Sequence, residues 1–470
     1  MSTPSPEAFQ SHEPSPSPIP SGPDLEHLDP RGFARLGPVT CAVRPKTPVA
    51  CARALAAARE AGLRVLVHGG GTQLEAGHPA PIDVVLDTRA LDRVIAYEPE
   101  DMTVTIGAGL TLRALQERLQ AGGQFLPLDP PVDEGATLGG LVAADASGPW
   151  RFGYGTLRDM LIGAQLATAD GALSRAGGRV VKNVAGYELC KLYTGSWGTL
   201  GVLTELTFKV RPLPRSEACL QLAVGSLADA ERAAALLLDA DLEPVAVEFL
   251  PAAVAAQVGL PLNRAYGVFA LFAGEAKTTA WQLERAARLV EALGDAQALT
   301  DGRRVHQALV AAHRPGSRVA LRASVLSSAV ARFCGEAEAL CAGRRAALRW
   351  AAHAGSGVVS LQLQGDDDTV LADLCDQLLA LAAQPATAAV TPDQSGRRRR
   401  AARFAPTPAE RQEAERLGSG NLVVVAAPAE LRAKVAPWGR IPPSARLMRA
   451  LKQTYDPSGV LNPGRFIDGL

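Results

Sequence analysis

From about residue 38 the apolar positions of the chain fall into short blocks separated by glycine and proline, and their spacing alternates between helical and strand periods. Alanine-rich Pro48–Gly62 predicts a helix and Arg64–His68 a short strand. Val84–Leu86 and Met102–Ile106 read as further strands. Thr111 stands just before Leu112, Leu115 and Leu119, so it caps a helix to about Ala121 that stops at Gly122–Gly123. Leu161–Thr168 and Leu200–Val210 are strand-like, and Pro212 and Pro214 close this region.

A second region runs from about Arg215 to Val435. Strands are predicted at Cys219–Val224, Ala246–Leu250, Val268–Phe272, Val319–Val325, Ala346–Ala351, Val358–Leu363 and Leu422–Ala427. Helices are predicted at Leu227–Leu238, Ala280–Leu293, Ala329–Leu340 and Val370–Ala383. Around the third of these, Val330, Phe333, Cys334, Ala337 and Cys341 make one apolar stripe, which marks both cysteines as core residues. Ser444–Lys452 reads as a terminal helix and Asp456–Phe466 as coil. The order predicts an α+β fold, a mixed sheet packed with helices.

Two stretches break the pattern. Residues 1–30 hold eight prolines and six serines and read as part of a disordered tail to residue 37, because so few apolar groups cannot offset the entropy of ordering. Residues 384–415, with Pro385, Pro392, Pro406, Pro408 and the run Arg397–Arg400, read as a flexible, solvated loop. A chain of 470 residues exceeds one compact core, so the division is into a domain at 38–215, a second at 216–435, and a segment at 436–470 that returns to the first. Lys plus Arg and Asp plus Glu number 48 each, which argues against the basic field of a nucleic-acid binder. Seven cysteines include no CxxC pair, so no zinc ribbon or iron–sulfur site is encoded, and their odd number fits a reducing cytoplasm. No apolar run approaches the roughly 20 residues of a membrane helix, and the N-terminus has no signal-peptide pattern.

Three glycine-rich stretches are candidates for chemistry. His68-Gly69-Gly70-Gly71-Thr72-Gln73 follows a strand; it is either a plain glycine turn or a concave array of N–H groups suited to a pyrophosphate. Ala136-Thr137-Leu138-Gly139-Gly140-Leu141-Val142-Ala143-Ala144-Asp145-Ala146-Ser147-Gly148 is crowded with small residues. It is either a tightly packed helix or a surface on which a flat ring can lie. Gly177 to Leu192, followed by Gly195-Ser196-Trp197-Gly198-Thr199-Leu200-Gly201-Val202, is either a loop-rich connection or a functional loop.

Taken together, the glycine turn, ATLGG at Ala136–Gly140, VKNVAGYELCKL at Val181–Leu192, GSWGTLGVLTE at Gly195–Glu205 and DPSGVLNPGRF at Asp456–Phe466 resemble the FAD-binding (PCMH-type) flavoenzymes of the vanillyl-alcohol-oxidase fold. The stretch Val180–Glu205 and the Trp438-Gly439 pair look most like the FAD-binding E subunits of glycolate oxidases. The resemblance covers about residues 38–215 and the C-terminal segment. It implies FAD, with Gly69, Gly70, Gly71, Thr72 and Gln73, preceded by His68, as the pyrophosphate loop. Pro131, Thr137, Leu138, Gly139, Gly140, Ala143 and Ser147 would run along the ribityl chain and ring. Gly201 and Val202 would lie near the adenosine half, Asn462 would close the flavin domain, and residues 216–435 would form a cap. A catalytic flavin subunit and an iron–sulfur subunit would be its partners and a small 2-hydroxy acid the substrate, in the cytoplasm or, through the partners, at the inner membrane.

Two departures refine this picture. Relatives with covalent flavin carry a histidine just after the paired glycines, where Thr72 and Gln73 stand here, so non-covalent FAD is expected. The HxGDGNxH segment of 2-hydroxy acid dehydrogenases is reduced here to His353-Ala354-Gly355-Ser356-Gly357. A lone histidine does not hold a divalent cation, so no metal is expected, and His353 reads as a structural or ring-contact residue. Besides a subunit of a complex, two alternatives remain open. One is a self-sufficient FAD-dependent oxidoreductase with Arg322, on the cap strand Arg318–Val325, as carboxylate clamp, although a surface charge is the plainer reading of that residue. The other is a non-catalytic scaffold.

Overall fold

The computed structural model describes residues 18–179, 187–384 and 420–470. The first domain holds two small sheets. Strands β1 (Leu25–Leu28), β2 (Cys41–Pro45), β3 (Val65–His68) and β4 (Val84–Asp87) form one in the order β1-β2-β4-β3, with β2 and β3 parallel to β4. The helix Pro48–Glu60, capped by Thr47, buries Cys51, Leu55 and Ala58 against it. Strands β5 (Val94–Glu98), β6 (Thr103–Gly107), β8 (Leu161–Ala167), β9 (Leu173–Gly177) and β10 (Val202–Lys209) form the second, in the order β5-β6-β10-β8-β9. The short strands β7 (Gln124–Phe125) and β11 (Arg211–Pro212) pair at its margin.

The second domain is built on one antiparallel sheet in the order β15-β12-β14-β13-β17-β18-β16-β19. Its strands are β12 (Ser216–Val224), β13 (Ala246–Pro251), β14 (Tyr266–Gly274), β15 (Asp295–Leu299), β16 (Val319–Ser324), β17 (Ala347–His353), β18 (Val358–Gln364) and β19 (Asn421–Ala426). One face is fully apolar. Val247, Phe249, Trp350, Val359, Leu361 and Leu321 pack there against the helices Leu227–Asp239, Ala276–Val290, Val330–Cys341 and Asp368–Ala382. The other face turns toward the first domain. Directly paired residues of an antiparallel ladder share a face, so the register puts Glu248 beside His353, and Arg322 beside Ser360, on that side.

The helix Ala445–Tyr455 and the coil after it return to the first domain. Val65 N–H donates to Val460 O and Asn462 N–H to Val65 O, both at 2.8 Å, so Leu461 extends the β3 edge. Lys452 Nζ and the buried Asp456 tie the helix end to this coil.

Part of the proline-rich tail is ordered, contrary to expectation. Residues 18–37 supply β1, the 3-10 helix Pro30–Leu36 and the buried side chains of Ile19 and Phe33. A few apolar groups suffice there because β2 supplies the ladder partner and existing cores receive the side chains. Residues 1–17 and the arginine run Arg397–Arg400 lie outside the described residues. The helix Gly302–Ala312 went unpredicted: its polar Arg303, Arg304 and His306 dilute the apolar stripe Val305, Leu309 and Ala312.

Candidate active site

The loop after β3 is shaped by backbone contacts. A Cβ on Gly70 would lie 2.0 Å from Gly135 O, and one on Gly69 2.2 Å from Thr137 Oγ1. Gly71 adopts φ +71°. The loop therefore lies flush on the N-terminus of the helix Leu138–Ala144, which Thr137 caps through Gly140 N–H. Among the described residues, the N–H groups of Gly70 through Gln73 donate to no protein acceptor. Unspent donors curved around a groove are a cradle for an anion.

That groove gathers Gly69, Gly70, Gly71, Thr72, Gln73, Thr137, Gly139, Gly140, Ala143, Gly201, Val202 and Asn462, all singled out in the sequence. Four other such residues lie elsewhere. Leu138 is fully buried in the core beneath the groove. His68 lies behind the loop, with its ring edge-on to Phe33 at 5.3 Å and Nδ1 buried without a partner. Pro131 and Ser147 line the neighbouring cavity instead. Trp197 and Arg465 line the groove and were not foreseen, although both sit inside the quoted motifs. Arg465 donates to Leu74 O and Ala76 O, and burial, with Arg432 beside it, pulls its guanidinium down to about 10. Asn462 Oδ1 accepts from Val67 N–H at 2.7 Å and its Nδ2 donates to Trp197 O at 2.6 Å, which stitches the returning segment to both walls.

At Thr72 and Gln73 the groove opens into a second cavity between the two domains. The first domain contributes Asp145, Ser147 and Arg151; the second contributes His313, Arg322, His353 and Ser360. Three residues bordering groove and cavity carry positive φ without being glycine: Asp145 (47°), Trp197 (55°) and Asn462 (46°). Strain of this kind persists only where the surroundings enforce it. Asp145 Oδ1 is buried with no donor.

Arg322 is not the surface charge its sequence context suggested. It is half-buried in the cavity wall, and its guanidinium makes no hydrogen bond or ion pair to another described residue, while its backbone lies in the ladder with β18 and β19. Burial pulls its guanidinium below the ordinary range, Asp145 opposes this, and Arg151 adds to it. Nor does His353 stand alone. Its Nδ1 lies 2.8 Å from Glu248 Oε2, and His313 Nε2 lies 2.8 Å from the same oxygen. The two rings stack with centroids 3.8 Å apart, and His313 Nδ1 meets Ser360 Oγ at 2.9 Å. All three groups are buried and their donor atoms lie within 4.8 Å of one another. The premise of a lone histidine is thus overturned. The second histidine comes from the unpredicted helix end and the glutamate from another strand.

The electrostatics assign the protons. Burial drives Glu248 upward, but His353 and His313 outweigh it and leave the carboxyl below its ordinary value, hence ionised. Burial and the neighbouring His353 hold His313 down to about 4, so its ring is neutral. A neutral His313 donates from Nε2 to Glu248 and accepts the Ser360 hydroxyl at Nδ1. His353 donates from Nδ1 to the same carboxylate. The domains are locked beside this cavity, where Asp129 Oδ2 accepts from His306 Nε2 (2.7 Å) and Trp150 N–H (2.9 Å), and Trp150 stacks on His306 at 4.1 Å.

Residues 39–177 match the FAD binding domain family and residues 433–466 the C-terminal domain of FAD linked oxidases. Glycolate oxidase subunit GlcE of Escherichia coli (strain K12) is 39% identical over 158 residues, 33% of this chain and 45% of that protein. The mitochondrial D-lactate dehydrogenase [cytochrome] of Arabidopsis thaliana is 35% identical over 174 residues, 37% of this chain and 30% of its own length. Each match thus spans less than half of the relative. Among solved structures, p-cresol methylhydroxylase with substrate bound superposes with a TM-score of 0.69 at 14% identity, over 94% of this chain and 93% of the other. Alkyldihydroxyacetonephosphate synthase superposes at 0.63 and 17% identity, over 90% and 76%. The amide cradle, the groove of small residues, the returning C-terminal segment and these likenesses agree: residues 39–177 carry an FAD binding domain, the chain has the α+β fold of the p-cresol methylhydroxylase structure, and FAD is the cofactor.

Proposed function

We propose that this chain is the FAD-carrying subunit of a complex that oxidises a small 2-hydroxy acid, of the glycolate oxidase type, with FAD held non-covalently. One observation carries the reading: the groove with its unspent amides and the polar inter-domain cavity meet at Thr72 and Gln73. When bound, FAD accepts two electrons from the substrate. The chain's own residues do the holding. The N–H groups of Gly70 to Gln73 take the pyrophosphate, and Gly139, Gly140 and Ala143 leave room for the ring system. Among the described residues, no histidine or cysteine lines the groove. No CxxC pair occurs in the sequence, so electrons would pass on through an iron–sulfur subunit, with a second flavin subunit as catalytic partner. Among the described residues no helix is long and apolar enough to cross a membrane. We place the complex in the cytoplasm, or at the inner membrane through its partners.

The test is an absorbance spectrum of the purified chain, then anaerobic addition of glycolate and of D-lactate. Flavin bands that bleach only once partner subunits are supplied support the subunit reading. Bleaching of the isolated chain selects the second reading, a self-sufficient oxidoreductase, which the polar cavity favours. Absence of flavin bands, even after FAD is added, would leave a scaffold and refute both.

A further inference from the structure

Beyond the glycine loop lies a third cavity, of about 510 Å³, which the flavin and the 2-hydroxy acid leave unused. That volume is in the range of small-ligand sites. Its walls come from the 3-10 helix Pro30–Leu36, the stretch from Gly71 to Ala80, the C-terminal coil and the short helix Ala429–Arg432. Arg432 and Arg465 are buried in these walls, and Arg35, exposed, lines the cavity beside Gly71. None of the three makes an ion pair with another described residue. Arg432 donates from Nε to Ala427 O (3.0 Å) and from Nη1 to Gly77 O (3.1 Å), and Arg465 donates from Nη1 to Leu74 O and Ala76 O. Carbonyls occupy those donors but carry no charge, and the Nη2 groups of both residues make no hydrogen bond to another described residue. Two buried cations thus sit side by side, each repelling the other. The carboxylates that face the cavity, Glu75 and Asp133, are exposed, so solvent screens them, and Glu75 offsets Arg432 only in part. His78, half-buried, is the remaining titratable group there. Arg465 lines the flavin groove as well, whereas Arg35 and Arg432 line this cavity alone, so the phosphates of FAD do not account for them.

We propose that this third cavity binds a small polyvalent organic anion, a phosphate ester or a polycarboxylate, at a site separate from the flavin groove and from the inter-domain cavity. Arg432 and the unspent edge of Arg465 hold its acidic group, because planar guanidiniums match such oxygens in pairs. Arg35 adds a contact from the solvent side. Leu36, Leu74 and Ile82, which line the same cavity, receive the carbon body. The inference goes beyond the proposed function and does not depend on which subunit carries the oxidation.

The test titrates the FAD-loaded full chain with inorganic phosphate and with citrate at low ionic strength, read by calorimetry. Binding of at least one is expected; phosphate alone assigns a phosphate ester, citrate alone a polycarboxylate. Arg432→Met is expected to weaken that binding by at least ~10-fold. Arg432 also ties Gly77 to Ala427, so Arg35→Met, at an exposed position, serves as the second variant, with a loss of roughly 3-fold. Arg322→Met, in the inter-domain cavity, is expected to leave the affinity unchanged. Binding of neither anion overturns the inference. So does unchanged affinity in Arg432→Met or, should that variant not fold, in Arg35→Met. Loss of binding in Arg322→Met places the anion in the inter-domain cavity, and binding only by chain stripped of FAD places it in the groove; either result overturns the inference.

Discussion

The glycine-lined groove and the inter-domain cavity are neighbours made in opposite ways. The groove is backbone and small side chains: Gly69 to Gln73 on one side and Thr137 to Ala143 on the other, each a contiguous stretch. The cavity is charged side chains drawn from distant places, with Asp145 and Arg151 in one domain and Glu248, His313, Arg322 and His353 on four elements of the other. A site of backbone amides in close contact tolerates little added volume. A site of buried charges fails when one partner is removed.

The sharpest way to break this contrast is Gly70→Ala. Its Cβ alone would press on Gly135 O, so flavin retention should be lost almost entirely, read as flavin absorbance per chain. Full flavin content in this variant would remove the loop's close packing from the account. Next comes Glu248→Ala, which leaves two buried rings without their common acceptor. It should cost roughly 3–5 kcal/mol in chemical denaturation. The cost should fall on the second domain, with FAD still bound by the first; concerted loss of both would merge the two regions.

A smaller effect follows from His313. Its folded value, about 4, lies below the ordinary 6.5, so the unfolded chain binds the extra proton first. The stability from neutral His313 is whole above about 6.5 and drains away as pH falls toward 4, at up to about 1.4 kcal/mol per unit. Glu248, also depressed, adds loss at the acid end. His313→Gln should flatten the denaturation midpoint between these limits; an unaltered pH profile would mean the ring is not held neutral. The smallest expected change is Asp129→Ala at the domain lock, about 1–3 kcal/mol, since it deprives His306 and Trp150 N–H of one acceptor. Unchanged melting there would show that the stacked Trp150–His306 pair alone holds the domains.

Legibility in the sequence followed the same divide. The groove residues were readable because glycine runs and small-residue runs are local patterns, and twelve of those singled out do line it. Leu138 and His68 were carried along by adjacency: helix and strand periodicity turns each of them inward. For the cavity the local signals pointed elsewhere. Arg322 read as a surface charge because a strand's alternation does not say which face meets another domain. His353 read as solitary because Glu248 and His313 lie 105 and 40 positions away, the latter at the end of a helix whose polar residues hide its periodicity.

By itself the sequence determined the α+β alternation, the apolar helix stripes and the glycine turns, since each depends on contacts within one element or on the φ freedom of single residues. Only the tertiary structure decided that Glu248, His313 and His353 share protons, that Arg322 and Arg151 face one cavity, and that residues 18–37 are ordered. Those outcomes depend on sheet register and domain docking, which sum many weak long-range contacts and leave no mark on any short stretch of chain.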